Sequence, residues 1–279
     1  MKLPSKKGFV IFADGQEYVK QAYLCAMSIH ASKNQYPVSI ITCDDVPSEY
    51  LWAFDTVIDI PWYEKTDSRF KTEHRWKIYH ATPYEETIVL DSDILVLQDL
   101  DYVWRFLENY ELFYPTKVFT YRKELVTSNY YRKAFVANNL PNVYNALHFF
   151  KKCDKSKEYF TWIELISNNW ELFYGHFCKE YFPKAPSMDI TCAIAAKIMD
   201  IDTEITNARQ DIPVLVHMKP AIQGWLNQVS EWQRRVGVYL TDDLKLKIGN
   251  HLQDTVFHYT ENDFVTDTII GKYEACLKK

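Results

Sequence analysis

Two aspartates one residue apart, Asp91 and Asp93, have the clearest potential for chemistry in this sequence. They stand between two apolar runs, Thr87–Leu90 and Ile94–Leu97, which predict burial on both sides. An ionised carboxylate is costly to bury without a partner, and side chains at i and i+2 of an extended backbone point to one face. A cation bound by both carboxylates compensates for the cost of burying them and uses their common direction. Oxygen ligands of this kind favour Mg²⁺ or Mn²⁺. The alternative is a turn in which the aspartates cap the next segment.

The segments around this pair predict an α/β domain, in which buried strands of a mainly parallel sheet alternate with helices. Short apolar runs rich in β-branched residues alternate with stretches whose apolar positions recur at the helical period. The strands are predicted at Phe9–Ala13, Val38–Cys43, Thr56–Ile60, Thr87–Leu90, Tyr144–Phe150 and Val214–His217, with extra strands or a hairpin within 232–259. The helices are predicted at Gln16–Lys33, Glu73–Ala81, Ser156–Asn168, Asp189–Met199 and Asp263–Leu277.

The composition is that of a folded globular protein, with 47% hydrophobic and 25% charged residues among 279. An aromatic share of 16% suits both core packing and ring-shaped ligands. The net charge of −5 argues against a nucleic-acid partner. Six cysteines without a CxxC pair are expected to be reduced, buried thiols. The first apolar run, Phe9–Ala13, is too short for a signal sequence or a membrane span, so we expect a cytoplasmic location.

Several common enzyme motifs are absent from the sequence. With only seven glycines, the chain contains neither GxGxxG nor GxxxxGK followed by Ser or Thr. These absences exclude a dinucleotide site of the Rossmann type and a P-loop. Motifs for a cysteine nucleophile or a serine hydrolase are missing as well.

The sequence resembles the GT-A glycosyltransferases, particularly the glycogenin and lipopolysaccharide galactosyltransferase family, whose DxD motif follows a strand of this kind. Phe9–Asp14 together with Tyr18 is similar to that family's first strand and nucleotide-contacting turn. The segment His74–Lys77 falls where the family places a basic residue before its DxD motif. Asn145–Phe150 is similar to a later strand that begins Asn-Ala-Gly in many members, with Leu147 here in place of the glycine. The resemblance covers residues 8–225.

This resemblance implies a GT-A fold, a nucleoside-diphosphate sugar as donor and a set of site residues. The implied donor-binding residues are Ala13, Asp14, Tyr18, Arg75, Lys77, Asp91, Ser92, Asp93, Asn145 and Lys219. Asp14 and Tyr18 are expected to hold the base and ribose, and Lys219 with either Arg75 or Lys77 to face the diphosphate. The implied metal ligands are Asp91, Asp93 and His217, and the implied catalytic residues are Asp93 and Asp189.

Two of these assignments have alternatives in the sequence. His217 begins a segment that is similar to the family's HxxGxxKPW motif, but the spacing of its Lys, Pro, Gly and Trp departs from that motif. His258 ends another apolar run and is the rival third ligand, although Lys219 beside His217 favours His217. Asp189 resembles the family's aspartate near the donor sugar and acceptor, where it orients the acceptor or acts as a base. It is equally interpreted as a helix cap.

The resulting hypothesis is a metal-dependent glycosyltransferase that moves a sugar, with a UDP-sugar as the expected donor, to an acceptor hydroxyl. We expect a catalytic domain at 1–225 and a C-terminal elaboration at 226–279 packed on it. The family resemblance implies retention at the anomeric carbon, which no residue pattern tests. The alternatives are a nucleotidyltransferase, a non-catalytic carbohydrate-binding protein, and a transferase whose acceptor is a nucleic-acid base. The acidic turn Ala13–Glu17 argues against nucleotidyl transfer, which usually brings a basic, glycine-rich loop.

Overall fold

The first strand of the chain occupies the middle of a six-stranded sheet in the computed structural model, which describes residues 5–65, 71–126, 132–206, 212–218, 236–259 and 261–278. The strands are β1 Lys7–Phe12, β2 Val38–Ile41, β3 Thr56–Ile58, β4 Glu86–Asp91, β5 Ile94–Val96, β6 Leu112–Phe113, β7 Leu147–Lys151, β8 Leu215–His217, β9 Val238–Leu240, β10 Leu246–Ile248, β11 His251–Gln253 and β12 Val256–His258. The large sheet has the order β3-β2-β1-β4-β7-β6. Its first four strands are parallel, and β7 pairs antiparallel with both β4 and β6.

Two smaller sheets complete the strand layers. Strand β12 lies between β5 and β8, antiparallel to β5 and parallel to β8. Strands β9, β10 and β11 form an antiparallel meander. The meander and β12 fulfil the expectation of extra strands within 232–259.

Helices cover the large sheet and join its strands. They are α1 Gln16–Ala31, α2 Ile78–Ala81, α3 Asp101–Leu107, α4 Lys133–Ala137, α5 Asp154–Asn168, α6 Trp170–Phe177, α7 Met188–Ile198 and α8 Asp267–Leu277. Among the described residues, none of the helices is long and apolar enough to span a membrane.

Both faces of the large sheet are buried, which explains the continuous apolar runs of its strands. Along β1, Phe9 and Ile11 pack into one core cluster, with residues of α1, whereas Val10 and Phe12 pack into another, with residues of α7. The alternation follows from the two-residue period of a strand. The α/β class with a mainly parallel sheet is therefore confirmed.

Residues after 236 share the first of these core clusters. Val256 and Phe257 of β12 and Tyr273 of α8 pack in the cluster that also holds Phe9. The C-terminal segment is thus packed on the sheet, while the expected boundary at residue 225 lies outside the described residues and stays a prediction.

Some predicted details differ in the structure. The helix expected at Glu73–Ala81 begins as a 3₁₀ turn, Arg75–Lys77, before the short α2, because its first amides bond to carbonyls three residues back. The expectation that all six cysteines are buried is wrong for Cys43 and Cys276, which are exposed, and for Cys153, which is intermediate. All six thiols are free, as expected.

Candidate active site

Asp91 and Asp93 lie where the chain passes from the large sheet to a small one. Asp91 ends β4, where its amide donates to the carbonyl oxygen of Ala146 at 2.8 Å. Strand β5 begins one residue after Asp93. The side chains are 19% and 22% exposed, so both carboxylates are largely desolvated at the carboxyl edge of the parallel strands, where ligands bind in open α/β sheets.

His258 reaches Asp93 from the far end of the sequence. Because β12 pairs antiparallel with β5, His258 lies opposite Ile94, and the amide of Tyr259 donates to the carbonyl oxygen of Asp93 at 3.1 Å. The imidazole Nε2 lies 3.0 Å from Oδ1 of Asp93. Among the described residues, Asp91, Asp93 and His258 form a group whose ligand atoms all lie within 4.8 Å of one another.

His217, the predicted third ligand, stands beside this group and is not part of it. Strand β8 runs parallel to β12, with His217 opposite His258. Their rings stack face to face, with centroids 4.4 Å apart and planes 4° from parallel. Both histidines line the same cleft as the aspartates, and His258 contributes the imidazole nearest to them.

Arg75 supplies positive charge to the acidic pair. Its Nη1 donates to Oδ1 of Asp91 at 2.6 Å, and its guanidinium lies over the Phe12 ring at 5.0 Å. Burial raises the pKa of Asp91, as does the Asp93 charge, whereas Arg75 opposes the rise. The two carboxylates thus differ in their environments, although they are two residues apart.

The Asp93 and His258 pair shifts both partners toward their charged forms. Burial alone would raise the pKa of Asp93, but the charge and hydrogen bond of His258 outweigh it, and the pKa of Asp93 is lowered. Burial alone would lower the pKa of His258, but Asp93 and then Asp91 outweigh it, and the pKa of His258 is raised. Without a metal, therefore, the imidazole of His258 is protonated more readily than a free imidazole, which favours its pairing with Asp93.

The turn after β1 contributes the residues predicted to contact the nucleotide. Asp14 is only 4% exposed; one carboxylate oxygen accepts from the Tyr63 hydroxyl at 3.2 Å, and the other lies 3.0 Å from Nδ1 of His74. The next residue, Gly15, has a φ of 132° and donates its amide to Asp44 at 2.6 Å. This conformation suits glycine, and it lets α1 begin directly beside Asp14.

Tyr18, one turn into α1, lines the cleft beside Asp91 and Asp93, and it also lines a smaller adjoining pocket with Asp14 and Ser92. Burial raises the pKa of Tyr18, and the surrounding carboxylates add to the rise, so its hydroxyl stays protonated. Ser92 donates its hydroxyl to Gln21 of the same helix at 2.9 Å. Ala13 is fully buried. These contacts fix the aspartate loop against α1.

Asp189 and Asn145 meet on the opposite side of the cleft. Oδ1 of Asp189 accepts the amide of Asn145 at 2.8 Å, and Oδ2 accepts Nη1 of Arg132 at 2.5 Å. Arg132 is 3% exposed, also donates to the carbonyl of Val143, and has its guanidinium 3.8 Å from the centre of the Tyr144 ring. Asp189 is the second residue of α7 and Ser187 is its N-cap residue, so the alternative interpretation of Asp189 as the helix cap is wrong. Its carboxylate joins this helix to Asn145, just before β7.

Lys77, one of the two predicted donor-binding lysines, is directed away from the cleft. The Lys77 ammonium donates to the carbonyl oxygen of Trp62 at 2.6 Å and lines a separate groove, which favours Arg75 as the charge beside the aspartates. Lys219 lies outside the described residues, as does Trp225.

The cleft itself has a volume of 670 Å³, within the usual range for small-molecule sites. The residues that line it include both the acidic group of Asp91, Asp93 and His258 and, on the other side, Asp189. The residues that carry the site are Tyr18, Arg75, Asp91, Asp93, Asn145, Asp189, His217 and His258. Residues far apart in sequence thus share one cavity.

Sequence reasoning missed Asp44, Tyr63 and Arg132. Asp44 could have been found, because it follows β2 at the same carboxyl edge of the sheet as Asp14 and Asp91. Tyr63 and Arg132 carry no comparable signal, since their partners come from distant elements and neither residue belongs to a motif.

The comparisons with known proteins support this architecture through structural similarity only. No family model and no curated protein matches the sequence. The galactosyltransferase LgtC, solved with donor and acceptor sugar analogues, aligns over 91% of this chain and 87% of its own, with 12% identity and a TM-score of 0.51. Mouse xyloside xylosyltransferase 1 aligns over 90% and 97%, with 6% identity and a TM-score of 0.50. The chain has the GT-A fold.

The matched proteins differ in the share of their own length that aligns with this chain. The glycosyltransferase GlyE of Streptococcus pneumoniae TIGR4 aligns over 91% of this chain and 55% of its own, with 15% identity and a TM-score of 0.47. This chain therefore spans about half the length of GlyE. Within the GT-A fold of this chain, the acidic group lies at the junction of β4, β5 and β12.

Proposed function

We propose that this protein is a metal-dependent glycosyltransferase that moves a sugar from a nucleoside-diphosphate sugar to an acceptor hydroxyl. The observation that carries the proposal is the convergence of Asp91, Asp93 and His258 in a cleft of 670 Å³ within a GT-A fold. A UDP-sugar is the expected donor, and Mn²⁺ or Mg²⁺ the expected ion.

The donor set suits such an ion. Two carboxylates and one imidazole, each offering an atom within 4.8 Å of the others, match the ligands that Mn²⁺ accepts. Asp91, Asp93 and His258 would hold it, with His258 in the place first assigned to His217. When bound, the ion neutralises charge on the diphosphate leaving group. The present partners of the carboxylates are the Arg75 guanidinium and the His258 imidazole, which balance carboxylate charge when the imidazole is protonated.

The residues around the β1 turn would hold the nucleoside. Tyr18 offers a half-buried ring and a protonated hydroxyl at the cleft wall. Asp14 is held rigid by Tyr63 and His74, so its remaining acceptor capacity is fixed in position. Ser92 lines the same small pocket as Asp14 and Tyr18, and Ala13 precedes Asp14 in the chain. This half of the site would orient the base and ribose before transfer.

Charge that develops on the diphosphate would be met by Arg75. Transfer breaks the bond between the anomeric carbon and the diphosphate oxygen, and it forms a bond from that carbon to the acceptor oxygen, whose proton is released. Arg75 lies against Asp91 and would stabilise the departing oxygens as the bond breaks. Lys219 stays a proposed second cation for the diphosphate.

The Asn145 and Asp189 side would face the sugar and the acceptor. Because Asp189 is fixed by Arg132 and by the amide of Asn145, its carboxylate is oriented in advance. We assign it an orienting role toward the sugar hydroxyls, and the alternative role as a base is an outcome of mutagenesis. The expected cytoplasmic location stays a prediction.

The test is donor turnover with purified protein. UDP-, GDP- and other nucleotide sugars are incubated with Mn²⁺, with Mg²⁺ or with a chelator, and release of the nucleoside diphosphate is measured. Metal-dependent release from one donor class, lost in Asp93→Ala with the fold retained, supports the proposal. Release of pyrophosphate from nucleoside triphosphate and a sugar phosphate would instead indicate nucleotidyl transfer. Sugar binding without any turnover would indicate a binding protein.

A further inference from the structure

A second cavity of 680 Å³ lies beside the cleft and is not used by the proposed chemistry. We name it the tryptophan groove, after the Trp62 and Trp76 side chains in its wall. The 3₁₀ turn Arg75–Lys77 divides the two cavities: Arg75 lines the cleft, whereas Trp76 and Lys77 line the groove. The groove is therefore a neighbouring but distinct site.

The groove has an aromatic wall that is open to solvent. The rings of Trp62 and Trp76 are nearly parallel, with planes 16° apart and centroids separated by 6.0 Å. The His80 imidazole meets both indoles edge-on, at 5.2 Å from Trp62 and 5.8 Å from Trp76. Trp62 is 66% exposed, more than Trp52 at 41%.

The backbone holds Trp62 in this exposed position. Trp62 has a φ of 50°, in the left-handed region that bulky side chains disfavour. The buried Lys77 side chain reaches under the loop and donates its ammonium to the Trp62 carbonyl at 2.6 Å. An unfavourable backbone conformation fixed by a buried lysine indicates that the position of the indole has a function.

The polar groups of the groove are mixed in sign. Glu64, Glu73 and Glu164 line it and can accept hydrogen bonds, while Lys77 and Asn168 can donate. Partial burial lowers the pKa of His80, so its imidazole is neutral at pH 7. Three carboxylates oppose the binding of an anionic chain such as a nucleic acid.

A cationic ligand is also disfavoured. The Lys77 ammonium already lies 5.6 Å from the centre of the Trp76 ring, where it occupies the aromatic face that would attract a cation. A neutral sugar chain fits the remaining chemistry. Its ring faces carry C–H bonds that pack on indole rings, and its hydroxyls both donate to carboxylates and accept from Lys77 and Asn168.

We propose that the tryptophan groove binds a neutral oligosaccharide, separately from the donor cleft. The inference stands on the aromatic wall and the mixed polar rim, and it does not need the proposed transfer reaction. If the protein is a glycosyltransferase, the groove would retain a stretch of glycan away from the reacting unit.

The test is calorimetric titration of the full chain with three neutral oligosaccharides, maltohexaose, cellohexaose and N-acetylchitohexaose. We expect one of them to bind the wild type and to bind Trp62→Gly about tenfold or more weakly, the loss expected when one stacked ring is removed. Glycine accepts a φ of 50°, so this variant should keep its fold and melting temperature. Glu164→Gln, which keeps the shape of the rim, should weaken binding less.

Two controls separate this site from others. Trp52 is another exposed tryptophan, 41% accessible and outside the groove, so Trp52→Ala should bind the oligosaccharide like the wild type. Asp93→Ala should lose the donor site but keep oligosaccharide binding, so failure of the transfer proposal would leave this one intact. The proposal is overturned if none of the three sugars binds the wild type, if Trp62→Gly binds as well as the wild type, or if tetramethylammonium displaces the bound sugar.

Discussion

The imidazole Nε2 of His258 lies 3.0 Å from Oδ1 of Asp93, although Asp93 lies in the first half of the sequence and His258 near its C-terminal end. The antiparallel pairing of β12 with β5 creates this contact, and the parallel pairing of β12 with β8 stacks the His217 ring on a face of the His258 ring. The two histidines therefore have different positions relative to the aspartates. His258 can supply a ligand atom directly, whereas His217 supports its ring.

This difference predicts unequal effects of two matched substitutions. His258→Ala should lower the affinity for Mn²⁺ by more than the 10- to 100-fold loss that is typical when a supporting residue is removed, since it deletes a ligand. His217→Ala should cause a loss of about 10-fold or less, because His217 lies outside the group of ligand atoms and stacks on the ring of His258. Calorimetric titration with Mn²⁺ measures both. The reverse order of effects would restore His217 as the third ligand.

The same pair predicts how pH changes the stability of the metal-free protein. The folded pKa of His258 is raised above 6.5, so its contribution to stability is full below pH 6.5 and is lost as pH rises through the folded pKa. The folded pKa of Asp93 is lowered below 3.8, so its contribution is lost only as pH falls through that lower value. The melting temperature in a chelator should therefore decline above pH 6.5.

His258→Gln is the control for this pH effect. It removes the titrating group, so the decline above pH 6.5 should become shallower than in the wild type. In the wild type, the affinity for Mn²⁺ should rise as the pH increases above 6.5, because the ion competes with the proton on the His258 imidazole. An unchanged slope in His258→Gln would show that other groups cause the decline.

The pairing of Arg132 with Asp189 predicts a destabilised protein when one partner is removed. Arg132→Leu should lower the free energy of unfolding by about 2–3 kcal/mol, below the range for fully buried pairs because the Asp189 side chain is partly exposed. The double variant Arg132→Leu with Asp189→Leu should lose less than the sum of the single variants. Urea denaturation measures all three. Additive losses would mean that the two residues do not interact.

Arg75 and Lys77 offer a matched pair of substitutions at the donor site. Arg75→Met should reduce kcat of the transfer or donor hydrolysis by about 10²- to 10³-fold, the usual cost of removing one group that stabilises developing charge. Lys77→Met should change kcat much less, because the Lys77 ammonium is directed to Trp62. Steady-state kinetics with the identified donor compares them. Equal losses in the two variants would contradict the assignment of Arg75.

Local sequence patterns predicted the parts of the fold that depend on neighbouring residues. The apolar runs of β1, β2 and β4 and the period of α1 are properties of short segments, and the DxD pair follows β4 as expected. The helix at 73–81 was only partly right, since the first residues of that segment bond three residues back rather than four.

Contacts between distant segments could not be predicted in the same way. The sequence indicates that His217 and His258 each end a strand, but it does not show which strand pairs with β5. The same applies to Arg132, whose burial between Asp189 and Tyr144 depends on how α4 and α7 pack. These contacts arise from strand pairing and helix packing, which no local motif encodes.

The central claim is that the acidic group holds an ion on which a nucleoside diphosphate binds. Calorimetric titration of the wild type and Asp93→Asn with UDP and GDP, each with and without Mn²⁺, tests it most directly. We predict that one diphosphate binds the wild type only when Mn²⁺ is present, and that Asp93→Asn remains folded but loses this binding. Binding that is independent of Mn²⁺, or equal in Asp93→Asn, would contradict the account.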